Sequence, residues 1–379
     1  MRKSYLCRLS NDCAFAKVSP KPSCLIHQLD LFIMFKRFLG FLSTDLAIDL
    51  GTANTQMFVA KKGIVLDEPT VVAIRQGETG RSVAAIGNKA KEMLGRTPIG
   101  LSAIRPLKDG VISDLEMTET LLLHFIQQAH IKPVFRQSLR VLVTVPCKAT
   151  LLERRAVREA TSGAGANEVR LIEQPMAAAL GAGLPVDQAC GSMVINIGAG
   201  TTEIAVVSLL GCVYSDSIRT AGDVFNERIV THIRRQHGCL IGETTAEHIK
   251  QEIGSALVSE DNNPELEVRG RHLSAGVPTA IKINALEISQ VLQEPLRNII
   301  NSVKNALEDM PAELSSDIAE RGIMLTGGGA LLKNLDKLLI QEVGLPVIIA
   351  DDPTTCVIRG MGQALSYLDN SAYDSLFVH

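Results

Sequence analysis

The sequence predicts an α/β protein built from two similar lobes, and two observations support this prediction. From residue 44 onward, short apolar segments alternate with helical stretches, the pattern of strands joined by helices. In addition, residues 46–55 align without gaps with residues 193–202, and each copy is a strand, a polar residue, a glycine turn and a second strand. The repeat indicates two related halves facing a cleft, although two unrelated hairpins could also match by coincidence.

The predicted strands are bounded by turn residues. They cover residues 46–50, 56–59, 139–145, 169–172, 193–197, 203–207 and 323–326. Thr150 and Glu153 have the spacing of a capping box that opens a helix, which explains Glu153 more simply than catalysis does. Pro175 suits the first position of the next helix. The last strand leads through three glycines into a helix predicted at 330–340.

Composition fits a globular protein of about two domains and argues against several functions. The chain has 379 residues, 46% of them hydrophobic, and a formal net charge of −3. Nucleic-acid binders are usually more basic, and with 4% aromatic residues and no Trp we expect no nucleic-acid partner. The eight cysteines form no CxxC pair, which argues against a disulfide framework or a zinc site and favours a reducing cytosol.

The pattern of the N-terminal residues predicts neither a membrane span nor a signal peptide. No apolar run approaches the roughly 20 residues that a bilayer-spanning helix needs. Residues 1–33 carry three cysteines and two prolines but no continuous apolar stretch, so we interpret them as an extension outside the core. Met34 is an alternative translation start.

A short amphipathic helix is predicted at residues 34–42, within a segment that we bound at 34–43. Large apolar residues recur there at i, i+3, i+4 and i+7, and two basic residues lie off this stripe. The apolar residues are Phe35, Phe38, Leu39 and Leu42. We expect the helix to lie in a membrane interface, with packing on the protein's own core as the alternative. One copy should bind weakly, whereas a filament that displays many copies should bind firmly.

The two glycine turns have the composition of phosphate-binding loops. Glycine lets backbone N–H groups approach an anion, and threonine hydroxyls add hydrogen bonds. Asp49 ends the strand before the first turn and suits Mg²⁺ held through water. A base or ribose could lie against the backbone of Gly327, Gly328 and Gly329, with the positive N-terminus of the predicted helix behind them. Neither a GxxxxGK[ST] loop nor a GxGxxG motif after a strand is present.

Four motifs in this order resemble the actin, Hsp70 and sugar-kinase superfamily and, within it, the MreB family of bacterial actin-like proteins. The motifs are Asp-Leu-Gly-Thr at 49–52, Glu-Gln-Pro-Met-Ala-Ala-Ala at 173–179, Ile-Gly-Ala-Gly-Thr-Thr-Glu at 197–203 and Leu-Thr-Gly-Gly-Gly-Ala-Leu-Leu at 325–332. Similar stretches spread over nearly all of residues 34–370. The resemblance implies an actin-like ATPase fold around a nucleotide cleft. Domain I is expected at 44–184, with a small subdomain at about 66–115. Domain II is expected at 185–370, with a small subdomain at about 222–285, and a C-terminal tail at 371–379.

The resemblance also implies a site for ATP or ADP with Mg²⁺. The first phosphate loop would be Asp49, Gly51, Thr52, Ala53 and Asn54, and the second Gly198, Ala199, Gly200, Thr201 and Thr202. Gly327, Gly328 and Gly329 would line the adenosine pocket. Lys250 and Glu252 would reach the nucleoside from a helix, unless they belong to its solvated face. Gly360 and Gly362 fall in the second connecting helix, where close packing is the simpler explanation.

Three positions depart from the family pattern. Where the family usually has Glu-Glu-Pro, this chain has Glu173-Gln174-Pro175. At the second phosphate loop, Asn196 replaces the usual Asp and Ala199 replaces the usual middle glycine. The resemblance makes Gln174, Asn196 and Thr201 the candidate catalytic residues. Glutamine can orient a water but cannot act as a base, and losing a positioning group or base costs about 10²–10⁴ in rate. We therefore expect ATP to be bound but hydrolysed slowly.

The function implied by the resemblance is that of a cytoskeletal polymer. Paired protofilaments would lie on the inner face of the cytoplasmic membrane and organise cell-wall synthesis with RodZ- and MreC-type membrane proteins. The loop at 131–137, with Val134 and Phe135, falls where the family carries a second membrane contact, and core packing of Phe135 is the alternative. An Hsp70-like ATPase would need a peptide-binding region after Gly362. A sugar kinase would need a catalytic Asp where Asn196 stands.

Overall fold

The structure, a computed structural model, describes residues 44–77, 80–129, 139–259 and 263–378. The predicted extension at 1–33, the predicted membrane helix with Phe35, Phe38, Leu39 and Leu42, and the predicted membrane loop with Val134 and Phe135 lie outside these residues. Within the part that is described, no helix is both long and apolar enough to cross a bilayer.

The strands of the described residues are mostly short. They are β1 (Thr44–Leu50), β2 (Asn54–Val59), β3 (Gly63–Pro69), β4 (Val72–Gly77), β5 (Gly80–Ile86), β6 (Leu101–Ile104), β7 (Leu107–Lys108), β8 (Val111–Ile112), β9 (Leu139–Val145), β10 (Glu168–Glu173), β11 (Ser192–Ile197), β12 (Thr202–Ser208), β13 (Gly211–Ile218), β14 (Cys239–Leu240), β15 (Glu265–His272), β16 (Pro278–Asn284), β17 (Ile323–Thr326), β18 (Val347–Ile349) and β19 (Phe377–Val378).

The helices lie mainly between the strands. The α-helices are α1 (Asn88–Lys91), α2 (Leu115–Gln128), α3 (Leu151–Gly163), α4 (Gln174–Gly181), α5 (Gly222–Gln236), α6 (Glu243–Ile253), α7 (Ala285–Asp309), α8 (Ala312–Arg321), α9 (Leu335–Val343) and α10 (Cys356–Ala364). Short 3₁₀ helices cover Gly328–Leu331, Pro353–Thr355, Leu365–Tyr367 and Ser371–Leu376. The predicted capping box opens α3, because Thr150 Oγ1 accepts from the Glu153 N–H and Glu153 accepts from the Thr150 N–H.

Two large sheets share one strand order, and each forms the centre of one lobe. The first runs β3-β2-β1-β9-β10, with β19 added beside β10, and the second runs β13-β12-β11-β17-β18. In each sheet three strands form an antiparallel meander and the last two run parallel to its first strand. Parallel neighbours need crossover connections, and α3 and α9 lie in the connections that lead to β10 and β18.

The strand register confirms that the sequence repeat is structural rather than coincidental. Leu50 pairs with Thr55 across the first hairpin, and Ile197 pairs with Thr202 across the second. The alignment of residues 46–55 with 193–202 predicts these two pairs to be equivalent. Both lobes are therefore built on the same glycine hairpin.

Three smaller sheets lie outside the two large ones. Their orders are β5-β4-β6, β14-β15-β16 and β7-β8. The first two fall in the sequence ranges for which small subdomains are expected. The domain boundaries themselves stay a prediction.

Two helices join the lobes in a shared core. Residues from both large sheets, such as Ala47 and Val194, pack with Met176 of α4 and Met361 of α10 in one buried cluster. A Cβ atom on Gly360 would overlap the carbonyl oxygen of Ala177, so the two helices touch backbone to backbone. Close packing therefore accounts for Gly360, as the sequence suggested.

Candidate functional site

A cavity of about 450 Å³ lies between the two glycine hairpins. Binding clefts for small molecules commonly have volumes of about 300–1,000 Å³. This cavity is lined by most of the residues that the motifs predict to bind a nucleotide. They are Asp49, Gly51, Thr52, Ala53, Asn54, Gln174, Asn196, Gly198, Ala199, Gly200, Thr201, Lys250, Gly327, Gly328 and Gly329.

The first hairpin is held in a tight turn. The Gly51 N–H donates to the Asn54 carbonyl oxygen at 3.1 Å, and Thr70 Oγ1 donates to the Gly51 carbonyl at 2.8 Å. Thr52 Oγ1 accepts from the Gly110 N–H at 3.0 Å, which fixes its hydroxyl at the edge of the cavity. The turn thus has external supports and does not depend on its own residues alone.

The second hairpin repeats this turn and approaches the first one closely. The Gly198 N–H donates to the Thr201 carbonyl at 2.9 Å, the same bond that closes the first turn. A Cβ atom on Gly200 would lie 2.6 Å from Thr52 Oγ1 and 2.9 Å from Asp109 Cα. The two loops therefore face each other, and only glycine at position 200 permits their approach.

Asp49 lies at the carboxyl end of β1, where ligands of α/β sheets commonly bind. Burial raises the pKa of its carboxyl group above the ordinary value, and hydrogen bonds from Thr144 and Gln174 oppose this shift. The Thr144 bond, from Oγ1 to Asp49 Oδ1, measures 2.7 Å. A nearby cation would stabilise the charged form of such a partly buried carboxylate.

Gln56 stands beside Asp49 and was not expected from the sequence. It is the cross-strand partner of Asp49 and lines the cavity. Its Nε2 donates to Asp67 Oδ2 at 3.0 Å, but its Oε1 is buried without a hydrogen-bond partner in the protein. A buried acceptor left open is costly unless a ligand or water donates to it.

Asn196 and Gln174 occupy the positions that depart from the family pattern. Asn196 is buried, and its Oδ1 accepts from Thr326 Oγ1 at 3.2 Å. Gln174 is the first residue of α4 and contacts Asp49 by a hydrogen bond, while Glu173 turns toward Arg154 at 3.5 Å. Burial raises the pKa of Glu173. The amides of Gln174 and Asn196 thus line the cavity without adding charge to it.

The third glycine segment also lines the cavity, but the helix after it differs from the prediction. Gly327 has φ +83°, and side chains on Gly327 or Gly329 would overlap Ile197. The 3₁₀ turn Gly328–Leu331 follows, and α9 begins only at Leu335. The segment between them is not helical because Lys333 pairs with the loop after α6. The Ala256 N–H of that loop donates to the Lys333 carbonyl at 2.8 Å. The positive helix end predicted directly behind the glycines is therefore absent.

Lys250 lines the cavity, but Glu252 and Thr202 do not. Lys250 Nζ donates to the Gly222 carbonyl at 3.1 Å, and burial lowers its pKa. Glu252 lies two residues further along α6, about 200° around the helix, and its side chain is 57% exposed. Thr202 begins β12 and is fully buried, and its hydroxyl donates to the Thr220 carbonyl at 2.7 Å.

Charged residues from the two lobes meet beside the cavity, and this pairing was also missed. Arg105 and Asp223 both line the cavity and form an ion pair, although 118 positions separate them in the sequence. Asn226 lines the cavity as well, and its Oδ1 is buried without a protein partner. No local pattern identifies these residues, since they depend on contacts between distant segments.

The fold and the facing hairpins define an actin-like protein. The chain resembles the crystal structure of MreB5 of Spiroplasma citri bound to ADP, with a TM-score of 0.81 and 35% identity over 87% of this chain and 99% of that chain. The structure of the same protein bound to AMPPNP has a TM-score of 0.82 and 35% identity, over 88% of this chain and 99% of that chain. The predicted actin-like fold is therefore confirmed.

The sequence comparison gives the family. The model of the MreB/Mbl protein family matches residues 43–372. The cell shape-determining protein MreB of Escherichia coli (strain K12) is 59% identical over 338 residues, which cover 89% of this chain and 97% of that protein. The chain belongs to the MreB/Mbl family. This membership confirms the resemblance drawn from the motifs and disfavours the Hsp70-like and sugar-kinase alternatives.

Proposed function

We propose that this chain is an adenine-nucleotide-binding cytoskeletal protein that determines cell shape. The observation that carries the proposal is the approach of Gly200 to Thr52, which brings two equivalent glycine hairpins to one cavity. Backbone N–H groups of such turns bind phosphate oxygens. The ADP- and AMPPNP-bound MreB5 structures and the E. coli cell shape-determining protein support the same assignment.

The phosphates would lie between the hairpins and the nucleoside against the glycines at 327–329. Asp49, Gly51, Thr52, Ala53 and Asn54 would face one side of the phosphates, and Gly198, Ala199, Gly200 and Thr201 the other. Lys250 would contact the nucleoside from α6. The free Oδ1 of Asn226 is an acceptor available to a ribose hydroxyl.

The residues present fit a hydrated Mg²⁺ ion. Asp49 supplies a carboxylate whose charged form a neighbouring cation would stabilise, and the open Oε1 of Gln56 can accept from a water of its hydration shell. Bound Mg²⁺ would neutralise phosphate charge. Asp49 would hold the ion through water, while Thr144 and Gln174 orient that carboxylate.

Hydrolysis is proposed to be slow. Gln174, Asn196 and Thr201 line the cavity where an attacking water would stand, and neither amide can take a proton from it. A phosphate-release assay tests this directly. We expect low turnover in the wild type and an increase of about 10²-fold or more in the double variant Gln174→Glu/Asn196→Asp. Ordinary turnover in the wild type that Thr201→Ala abolishes would refute the proposal.

Assembly and membrane binding complete the proposed function. Filaments of paired protofilaments would lie at the inner face of the cytoplasmic membrane and organise peptidoglycan synthesis with RodZ- and MreC-type proteins. Residues 34–42 and 131–137 would supply the lipid contacts. Electron microscopy with ATP and liposomes tests assembly, and deletion of residues 34–42 should release the filaments from the lipid. Filaments that sediment with liposomes equally well after the deletion would remove the proposed membrane helix.

A further inference from the structure

Two histidines and one glutamate meet in the second lobe, outside the nucleotide cavity. The Nε2 atoms of His232 and His237 each lie 2.6 Å from Oε1 of Glu287. Across the described ranges (44–77, 80–129, 139–259 and 263–378), this is the one group of three His, Cys, Asp or Glu residues whose ligand atoms all lie within 4.8 Å of one another. The side chains are 20–24% exposed, so small ions can reach them.

Helix ends hold the three side chains in place. His232 lies in the last turns of α5, and His237 caps its C-terminal end, where its N–H donates to the Ile233 carbonyl at 3.0 Å. Glu287 is the third residue of α7, and its N–H donates to Asn284 Oδ1 at 2.9 Å. The cluster therefore joins the C-terminal end of one helix to the N-terminal end of another.

The chemistry of the three atoms is that of a metal-ligand set. Imidazole nitrogens bind Zn²⁺ at about 2.0–2.1 Å and carboxylate oxygens at about 2.0–2.2 Å, and sites with three protein ligands leave the fourth position to water. Tetrahedral bonds of these lengths separate ligand atoms by about 3.3 Å. Each imidazole nitrogen now lies 2.6 Å from the carboxylate oxygen, so the ligand atoms must separate before an ion can enter, and rotation of the side chains would provide this movement.

Glu287 supplies the one carboxylate oxygen of this ligand set, and the two imidazole nitrogens complete it.

We propose that His232, His237 and Glu287 form a binding site for one divalent transition-metal ion of the zinc class. The scattered cysteines argue against a thiolate site, but they do not bear on a site of imidazole and carboxylate ligands. The ligands escape a search for sequence motifs because Glu287 lies 50 and 55 positions from the two histidines. A bound ion ties the end of α5 to α7, and the other end of α5 lines the nucleotide cavity through Asp223.

The test is a titration of the full chain, freed of metal by a chelator and kept free of nucleotide, with Zn²⁺ and with Co²⁺. We expect His237→Gln and Glu287→Gln each to lose one equivalent of tightly bound metal relative to the wild type. His248→Gln is the matched control, because His248 Nδ1 and Glu252 Oε1 lie 4.0 Å apart on an exposed helix face and should not hold an ion. This control should keep the wild-type stoichiometry.

The Co²⁺ spectrum of the wild type provides a second readout that needs no substitution. Visible d–d bands without thiolate-to-metal charge transfer indicate nitrogen and oxygen ligands and support the site. A spectrum dominated by thiolate charge transfer, or no bound Co²⁺, would overturn the proposal, as would unchanged stoichiometry in both Gln variants. We also expect Zn²⁺ to raise the melting temperature of the wild type but not that of His237→Gln.

Discussion

The guanidinium of Arg105 contacts the carboxylate of Asp223 beside the cavity, with 3.3 Å between Nη1 and Oδ1. Arg105 follows β6 in the first lobe, and Asp223 lies in the first turn of α5 in the second lobe. A second bond joins Arg105 Nη2 to Glu243 at 2.9 Å, and Lys91 lies 3.8 Å from Glu247. These ion pairs connect the lobes next to the site in which we propose that the nucleotide binds.

Breaking this contact should speed nucleotide release. Ion pairs at a protein surface contribute about 0.2–1 kcal/mol each, and Arg105 makes two that are partly buried. Arg105→Gln should therefore raise the release rate of a fluorescent ADP analogue by about two- to thirtyfold in stopped-flow measurements. Arg228→Gln is the control, because its pair with Glu294 at 2.7 Å lies within one lobe. Equal release rates in the two variants would show that the lobe-to-lobe pairs do not retain the nucleotide.

Asp49 should lower the stability of the nucleotide-free protein at neutral pH. Below its ordinary pKa of 3.8 the carboxyl is protonated in the folded and unfolded states and contributes no difference. As the pH rises above this value, Asp49 ionises first in the unfolded chain, which lowers the free energy of unfolding. The decrease continues until the pH reaches the raised pKa of Asp49 in the folded state, and the lost stability is not regained at higher pH. Asp49→Asn should therefore melt at a higher temperature than the wild type at pH 7, and this difference should vanish at low pH.

The same variant should weaken binding of the Mg²⁺-nucleotide complex. Loss of a group that holds a metal through water costs about 10–100-fold in metal affinity. We expect the stabilisation by ATP with Mg²⁺ to shrink in Asp49→Asn, while any stabilisation by ATP with a chelator changes little. A variant that melts below the wild type at pH 7 and keeps full Mg²⁺ dependence would contradict this account of Asp49.

Gly200 should tolerate no side chain. An alanine Cβ would lie 2.6 Å from Thr52 Oγ1 and would push the hairpins apart. Overpacking of this kind costs about 1–3 kcal/mol, or roughly 5–150-fold in affinity. Gly211→Ala serves as the control, since its Cβ would meet nothing closer than 3.7 Å. Nucleotide affinity should fall in Gly200→Ala and stay unchanged in Gly211→Ala, and comparable affinities would argue against facing phosphate loops.

Short sequence patterns predicted the two glycine hairpins, but they could not predict contacts between distant segments of the chain. The glycine turns after β1 and β11 follow from short-range patterns, and the repeat of residues 46–55 at 193–202 identified them as equivalent. The helix predicted at 330–340 was misplaced because Lys333 pairs with Ser255, which no pattern around residue 330 reveals.

Side-chain direction decided which assigned residues reach the cavity. Thr201 lies in the turn and lines the cavity, whereas the adjacent Thr202 begins β12 and donates its hydroxyl to the Thr220 carbonyl. The resemblance placed both in the second phosphate loop. Gln56 was missed because its importance depends on its register opposite Asp49, which is known only once β1 and β2 are paired.

Calorimetric titration of the purified chain with ATP and ADP in the presence of Mg²⁺ measures whether the two facing hairpins hold an adenine nucleotide. We predict one saturable site per chain, with affinity reduced in Gly200→Ala and Asp49→Asn and retained in Gly211→Ala. Absence of binding to either nucleotide at millimolar concentration, in a chain shown to be folded by its melting transition, would contradict it.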